Sequence, residues 1–383
     1  MKKVLHVLSS LQRSGMERML LCSYEEWLRH GYRCEVLATA DDVGPLAQEM
    51  REAGYTVHHL PFRGKAKYLP NQSFIKDYIR LCGQGFDVVH IHVEEASPMF
   101  AVLARLAGVD RIVLTPHNTF QFEGMLRRRK YAERMFNRFI GCKYGMISDD
   151  VKDCEWERFR NPGVRTTNWL DTSHIRPAED AERSGARKSL ELCPDDFVLL
   201  SVGNCNHAKN HSALLEAVKL LATDLAVIHL HVGKEPDDTE RKHAARLGIN
   251  GHVRFLGSQP DPLPFLWAAD AFVMPSLNEG LPISAIEAVS AAVPVVCSDA
   301  GGLKQLAKDA GGVIVTATDP FAIAEGVLHL ASMPVAMRRS AALRDSALIR
   351  DYYSVATGVA SVVNGLYAPG HALPAILREE TSS

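Results

Sequence analysis

Hydrophobic and polar positions in the first half of the chain alternate in blocks of two kinds. Short runs rich in β-branched residues at 2–8 (KKVLHVL), 34–39 (CEVLAT), 56–62 (TVHHLPF), 87–93 (DVVHIHV) and 111–117 (RIVLTPH) read as strands. Between them, apolar residues recur every three or four positions at 16–31, 44–54, 71–83 and 97–108, mostly up to a glycine. That spacing predicts helices. Strands alternating with helices imply βαβ units and a parallel sheet covered on both faces.

The rhythm breaks after about residue 160, where 161–196 is polar, marked by proline and weakly periodic, as a linker would be. It then restarts, with strands expected at 197–203, 226–233, 253–257, 271–276, 293–299 and 311–316 and helical spacing between them. Further helices are expected from Asp319 to about Tyr367. The expected organisation is a first α/β domain at 1–165, a linker at 166–190 and a second α/β domain at 191–350. A C-terminal helix and tail at 351–383 would pack back on the first domain. The fold class is α/β, with two tandem doubly wound, Rossmann-like parallel sheets. Ligands bind beyond the carboxyl ends of such strands, so two facing domains predict a cleft.

Composition narrows the class. The 383 residues are 46% hydrophobic and 23% charged, enough for two cores. The longest apolar run falls short of the roughly 20 residues a membrane-spanning helix needs. Eight scattered cysteines without a C-x-x-C pair suit a reducing, cytoplasmic setting. Residues 1–185 carry 27 Lys+Arg against 24 Asp+Glu, a net +3, and the remainder 16 against 21, a net −5. So mild a polarity argues against nucleic acid and leaves room for an anionic ligand or surface at the first half.

The stretch NEGLPISAIEA places Glu279 at the end of an apolar strand and Glu287 just over a turn inside the following helix. Pro282 suits the first helical turn, and the open amides of Leu281, Ile283 and their neighbours would form an anion site with Gly280 beside them. Amides for phosphate and a carboxylate for ribose hydroxyls describe a nucleoside-diphosphate site; a capping Glu279 with a solvated Glu287 is the plain alternative. In VGNCNHAKNH, Lys209 precedes a helix start, where a cation is unfavourable unless an anion lies there. His207 and His211 are four apart, but without an evident carboxylate or thiolate partner no metal is expected. In QRSGMER, Ser14-Gly15 would let the backbone approach a ligand. His117 ends one strand, and His90 and His92 share a face of another. Helix FEGMLRRRKYAERMFNRFIG interleaves Arg127, Arg128, Arg129, Lys130, Arg134 and Arg138 with Tyr131, Phe136 and Phe139. With Arg63, Lys65 and Lys67 it would meet anionic phospholipid or a diphosphate-linked lipid acceptor, unless it is a solvated charged face.

EGLPISAIEA resembles the E-x7-E motif of the retaining GT-B glycosyltransferases, especially the bacterial family-4 enzymes. VPVVCSDAGGLKQL is similar to their G-x-PVV-x-SD-x-GG segment, SVGNCNHAKNHSALLEAVKLL to their phosphate-binding loop and HVLSSLQRSGMERML to their N-terminal glycine loop. The resemblance implies a retaining transfer from a nucleotide-sugar, UDP being the favoured base, to a glycan or lipid-linked acceptor hydroxyl in cell-envelope or exopolysaccharide synthesis. It assigns Glu279 to the donor sugar, Glu287 to the ribose, Lys209 to the departing diphosphate and His117 to the reacting centre. Ser14, His92, Arg127 and Arg128 fall on the acceptor side. The nucleotide-sugar is a co-substrate, and no cofactor or metal is implied. The location implied is cytoplasmic, with peripheral contact at the inner face of the membrane.

Two departures stand out. Asn204 occupies the place where the family usually has an arginine, and the first glycine of the N-terminal loop is missing. The missing arginine keeps open a donor-binding subunit without turnover; a nucleotide-sugar epimerase of the same fold is a second rival, which the E-x7-E pattern disfavours. A dehydrogenase is disfavoured, since the first loop lacks G-x-G-x-x-G.

Overall fold

The computed structural model describes residues 1–62, 64–66 and 69–368. Arg63, Lys67, the side chain of Lys65 and the tail from 369 onward lie outside the described residues. The chain forms two compact units, Met1–Asp171 with Ser354–Ser383, and Thr172–Tyr353.

The strands of the first unit are β1 (Lys2–Leu8), β2 (Tyr32–Ala38), β3 (Thr56–His59), β4 (Gly64–Ala66), β5 (Leu69–Pro70), β6 (Val88–Ile91), β7 (Arg111–Leu114), β8 (Lys143–Met146) and β9 (Val164–Arg165). β4 and β5 pair with each other; the rest form one parallel sheet in the order β3-β2-β1-β6-β7-β8-β9. The five strands expected from pattern are all present. β8, β9 and helix Asp149–Phe159 were not expected, because four residues (KYGM), two residues (VR) and a half-polar helix give little periodic signal. The chain re-enters this unit through helix Val355–Val362. There Arg111 Nη1 donates to Leu366 O (3.1 Å) and Tyr367 O (2.6 Å), and Tyr367 stacks on Trp27.

The second unit holds β10 (Phe197–Val202), β11 (Val227–Val232), β12 (Val253–Phe255), β13 (Ala271–Met274), β14 (Val295–Ser298) and β15 (Ile314–Thr316), all parallel, in the order β12-β11-β10-β13-β14-β15. β13 and β14 are buried throughout, which is why they read as largely apolar runs. Leu199, Val218, Val273, Val296, Ile323 and Val327 belong to its core. The stretch expected as linker contains helix Asp180–Ser189, closed by a Glu179–Glu182 capping box. Arg183 and Arg187 on that helix pair with Asp270 (2.8 and 3.1 Å). It buries only Ala186, so it lacks the apolar stripe by which a helix is recognised.

Candidate active site

In each sheet the strand order reverses once, at β1/β6 and at β10/β13. Such switch points are where open α/β sheets bind ligands, because the loops that follow diverge there.

At β10/β13, Gly203 follows β10 with φ +150°, and Lys209 lies across it: a Cβ at 203 would stand 3.2 Å from Lys209 Cε and 3.5 Å from Nζ. A 3-10 turn, His207–Lys209, brings the lysine back, with Asn206 accepting from Lys209 N at 3.1 Å. Asn210, left-handed at φ 54°, donates through Nδ2 to Pro275 O (3.2 Å) and Thr318 O (2.9 Å), joining this loop to the one after β13. The result is an ion pair across 70 residues of sequence: Lys209 Nζ lies 2.7 Å from Glu279 Oε1, with side chains 20% and 12% exposed. Sheltered this far from water, the pair leaves a poorly solvated charge when either partner is removed.

The Glu279–Gly280 turn is held from below by the glycine pair after β14, since a Cβ on Gly302 would come 2.0 Å from Gly280 O. Pro282 is the N-cap residue of helix Ile283–Ser290 rather than part of its first turn. Its carbonyl accepts from Ala285 N (3.2 Å) and Ile286 N (3.3 Å), so the helix start leaves Ile283 and Ser284 N–H without an intrahelical acceptor. Gly280 and Leu281, expected to offer open amides, are engaged in other interactions. Glu287 is buried, 7% exposed, and also engaged, which sets aside the solvated reading. Asn204 is exposed; its Oδ1 accepts from Lys234 N (2.9 Å), so its Nδ2 is the group suited to an anion. His207 is exposed whereas His211 is buried, so they do not act as a pair.

At β1/β6 the groups are of another kind. His117 Nε2 is 2.9 Å from His92 Nδ1, and His92 Nε2 is 3.0 Å from His6 Nδ1, a row of three imidazoles. Burial lowers the pKa of His117 to about 4 and that of His6 to about 3. His92 lies well below its ordinary value, through burial first and then through the neighbouring rings. All three are therefore neutral near pH 7, and each link needs one N–H and one lone pair. His90 belongs to the core, its ring nitrogens meeting Tyr367 Oη (2.6 Å) and Thr115 Oγ1 (2.7 Å). His92 and His117 border a cavity of about 670 Å³ together with Glu17, Asp41, Glu94 and Glu95. Gly15 opens helix Gly15–Leu21 without a left-handed φ, and Ser14 Oγ donates to Glu17 beside the cavity.

The basic helix, Gly124–Phe139, departs from its expectation. Lys130 and Arg134 face inward, 3% and 2% exposed. Arg134 binds Glu94 (2.7 Å) and Glu155 (2.9 Å), and Lys130 binds Glu133 (2.8 Å) and Glu94 (3.1 Å). Arg127 and Arg128 are exposed and do not border the cavity. Its apolar side chains point outward, Met125 86% and Phe139 88% exposed.

Residues 182–345 match the family model described as glycosyl transferases group 1, and residues 14–146 match the glycosyl transferase 4-like domain. The chain is a group 1 glycosyltransferase of the GT-B fold. The enzyme is 28% identical to EpsF of Bacillus subtilis over 308 residues, covering 78% of this chain and 79% of that protein. It is 27% identical over 330 residues to the Escherichia coli UDP-Gal:alpha-D-GlcNAc-diphosphoundecaprenol alpha-1,3-galactosyltransferase, covering 80% of this chain and 82% of that one. In fold it is similar to Anabaena HepE, solved in complex with UDP and glucose, with TM-score 0.82 and 18% identity over 96% of this chain and 100% of that chain. Sequence motifs point to Lys209, Glu279, His92 and His117 of this glycosyltransferase one by one, but neither to the ion pair between the first two nor to His6 as the third imidazole of the row.

Proposed function

We propose that the enzyme transfers a sugar from a UDP-sugar to a hydroxyl of a glycan or lipid-linked glycan, with retention at the anomeric carbon. The reading rests on the Lys209–Glu279 pair at the β10/β13 switch point, beside a helix start with two open amides and a buried Glu287. The names of similar proteins, which include UDP-galactose and UDP, support this base.

In this mechanism the diphosphate binds against Lys209 Nζ and the Ile283 and Ser284 amides, with Asn204 Nδ2 as a neutral donor in place of the family's arginine. Charge grows on the diphosphate as the sugar–phosphate bond lengthens, and fixed donors stabilise that charge more than they stabilise the bound substrate. Lys209 is held by Glu279 before the anion arrives, so its position is set in advance. Glu287 accepts from the ribose hydroxyls. His117, in the first unit, is available as a neutral imidazole. No glutamate attacks the anomeric carbon: a leaving diphosphate oxygen takes the acceptor's proton, and the paired-carboxylate arrangement of glycosidases is not needed. The protein's own donors meet the diphosphate charge without a catalytic metal.

The test is a thermal-shift panel of UDP, GDP, ADP and TDP on wild type and Glu287→Ala, followed by NMR of the product anomer. Stabilisation by UDP that shrinks in Glu287→Ala supports the donor site, because a ligand stabilises the state it binds. An inverted product anomer, or no nucleotide shift at all, overturns the proposal. We further propose a cytoplasmic location with peripheral contact at the inner membrane face, supported by the outward apolar side chains of helix Gly124–Phe139.

A further inference from the structure

Beneath the loop that carries Lys209, three chemistry-bearing side chains from separate elements converge, with Glu240 in their neighbourhood. Cys205 comes from the loop after β10, His211 from the start of helix His211–Leu221, His231 from β11, and Glu240 from helix Thr239–Leu247. A sulfur or nitrogen atom of each of the first three lies within 4.8 Å of the others, and all three residues are buried. Cys205 Sγ is 3.3 Å from His231 Nε2. Burial first, and then the neighbouring Glu240 and Glu235 carboxylates, push the Cys205 thiol up to about 12.

We propose that Cys205, His211, His231 and Glu240 form a binding site for a tetrahedral divalent transition metal, zinc by preference. Three observations carry it. The spacing fits: bonds of about 2.3 Å to sulfur and about 2.0–2.1 Å to nitrogen set tetrahedral ligands roughly 3.4–3.6 Å apart. The three atoms of Cys205, His211 and His231, within 4.8 Å of one another, need to close by no more than about 1.4 Å to reach that geometry. Secondly, the protein leaves groups here unsatisfied. His211 Nε2 and Glu240 Oε2 are buried and have no hydrogen-bond partner, an arrangement that costs about 1–3 kcal/mol for the imidazole nitrogen alone. A thiol–imidazole hydrogen bond serves Cys205 and His231 alone and leaves the other two as they are. Thirdly, the outer partners of a metal site are in place. Ser201 Oγ lies 3.0 Å from His231 Nδ1 and 2.9 Å from His229 Nε2, which fixes the His231 ring with Nε2 toward the sulfur. One thiolate, two imidazoles and a carboxylate form a ligand set that selects zinc over magnesium or calcium.

The metal binds as Zn²⁺ displaces the thiol proton to solvent, with no change of oxidation state. Cys205 and His211 bracket the 3-10 turn His207–Lys209, so the ion closes the base of that turn and ties it to β11. Its role is to hold the loop; it lies outside the proposed transfer chemistry and stands or falls independently of the donor assignment.

The experiment uses the untagged full chain, reduced, stripped with chelator and titrated with Co²⁺. One equivalent is expected to give the intense visible bands of tetrahedral cobalt and a near-ultraviolet thiolate charge-transfer band. The latter is absent in Cys205→Ala and retained in the exposed-cysteine control Cys193→Ala. Zinc is expected to displace the cobalt and to raise the Tm of the stripped wild type. The weak spectrum of six-coordinate cobalt on folded wild type overturns the proposal, whether or not any variant folds. So does a charge-transfer band that persists in Cys205→Ala.

Discussion

The two switch points share one topology and carry opposite chemistry. At β10/β13 the loops present a cation, its carboxylate partner and a helix start, which together suit an anion. At β1/β6 they present three neutral imidazoles and a cavity bordered by Glu17, Asp41, Glu94 and Glu95. Glu94 is itself held by Lys130 and Arg134, so those two cations are already matched. A diphosphate gains little there; hydroxyl-rich ligands, which exchange hydrogen bonds with carboxylates and neutral imidazoles, gain more. The difference teaches that one backbone scheme can present either chemistry, because the side chains at the strand ends, not the sheet, decide what binds.

The most severe way to break this contrast is to remove the cation. Lys209→Ala is expected to lower kcat by about 10²–10³, the loss seen when one preorganised donor to a developing charge is deleted. Lys209→Arg, which keeps the charge, should retain measurable turnover. Steady-state kinetics alongside a melting curve separates chemistry from folding, since Lys209→Ala also strands Glu279. Wild-type turnover in a folded Lys209→Ala would mean that charge on the diphosphate is met elsewhere. Glu287→Ala comes next: losing hydrogen bonds to a charged acceptor, at about 1.5–3 kcal/mol, should weaken UDP binding roughly 10–100-fold by calorimetry.

How far these sites could be read from sequence depends on range. Glu279 and Glu287 sit eight apart on one strand–turn–helix unit, so both fall in one local motif whose resemblance to E-x7-E marks it as a site. The partner of Glu279 is Lys209, 70 positions upstream, and periodicity says nothing about contacts made through two strand ends. Arg134 shows the same limit in reverse. On the chain it belongs to a basic run, yet Glu94 and Glu155, 40 and 21 residues away, draw it inside. The strands were legible because both faces are covered and the apolar runs are continuous. Helix Asp180–Ser189 was not, although the Glu179–Glu182 spacing was there as a start signal.

A smaller effect tests the support beneath the donor turn. Gly302→Ala places a methyl 2.0 Å from Gly280 O, a backbone atom that cannot swing aside. Overpacking of this kind costs about 1–3 kcal/mol. The urea midpoint should fall and donor KM should rise together; an unchanged midpoint would show that the turn moves freely.

The imidazole row offers a test by pH. His6 and His117 titrate below their ordinary value, to about 3 and about 4, because burial disfavours the charged ring. A group with a depressed folded pKa favours unfolding once protonated. Its stability is therefore whole above about pH 6.5, the unfolded histidine value, and is lost as pH falls from there through the folded values. Urea midpoints at pH 7.5, 5.5 and 4.5 should fall progressively, and His6→Phe, which cannot take up a proton, should fall less. Parallel curves for wild type and His6→Phe would remove the row from the acid response.

The smallest expected effect on chemistry comes from the helix whose polarity is turned inside out. Gly124–Phe139 buries Lys130, Arg134 and Asn137 and exposes Met125, Met135, Phe136 and Phe139, with Arg128 among them. Outward apolar side chains interleaved with arginine match an interfacial helix, which inserts its rings at headgroup depth and pairs its cations with anionic lipid. Among the described residues no single helix is long and apolar enough to cross a membrane. Wild type should co-sediment with vesicles containing phosphatidylglycerol more than with phosphatidylcholine alone, less so at high salt. The Met125→Asp/Phe139→Asp double variant should lose most of that binding. Its UDP thermal shift should stay as in wild type, because neither residue borders either switch point. Undiminished co-sedimentation of the double variant would assign the membrane contact to another surface, whereas a lost UDP shift would mean that this helix and the donor loops are coupled.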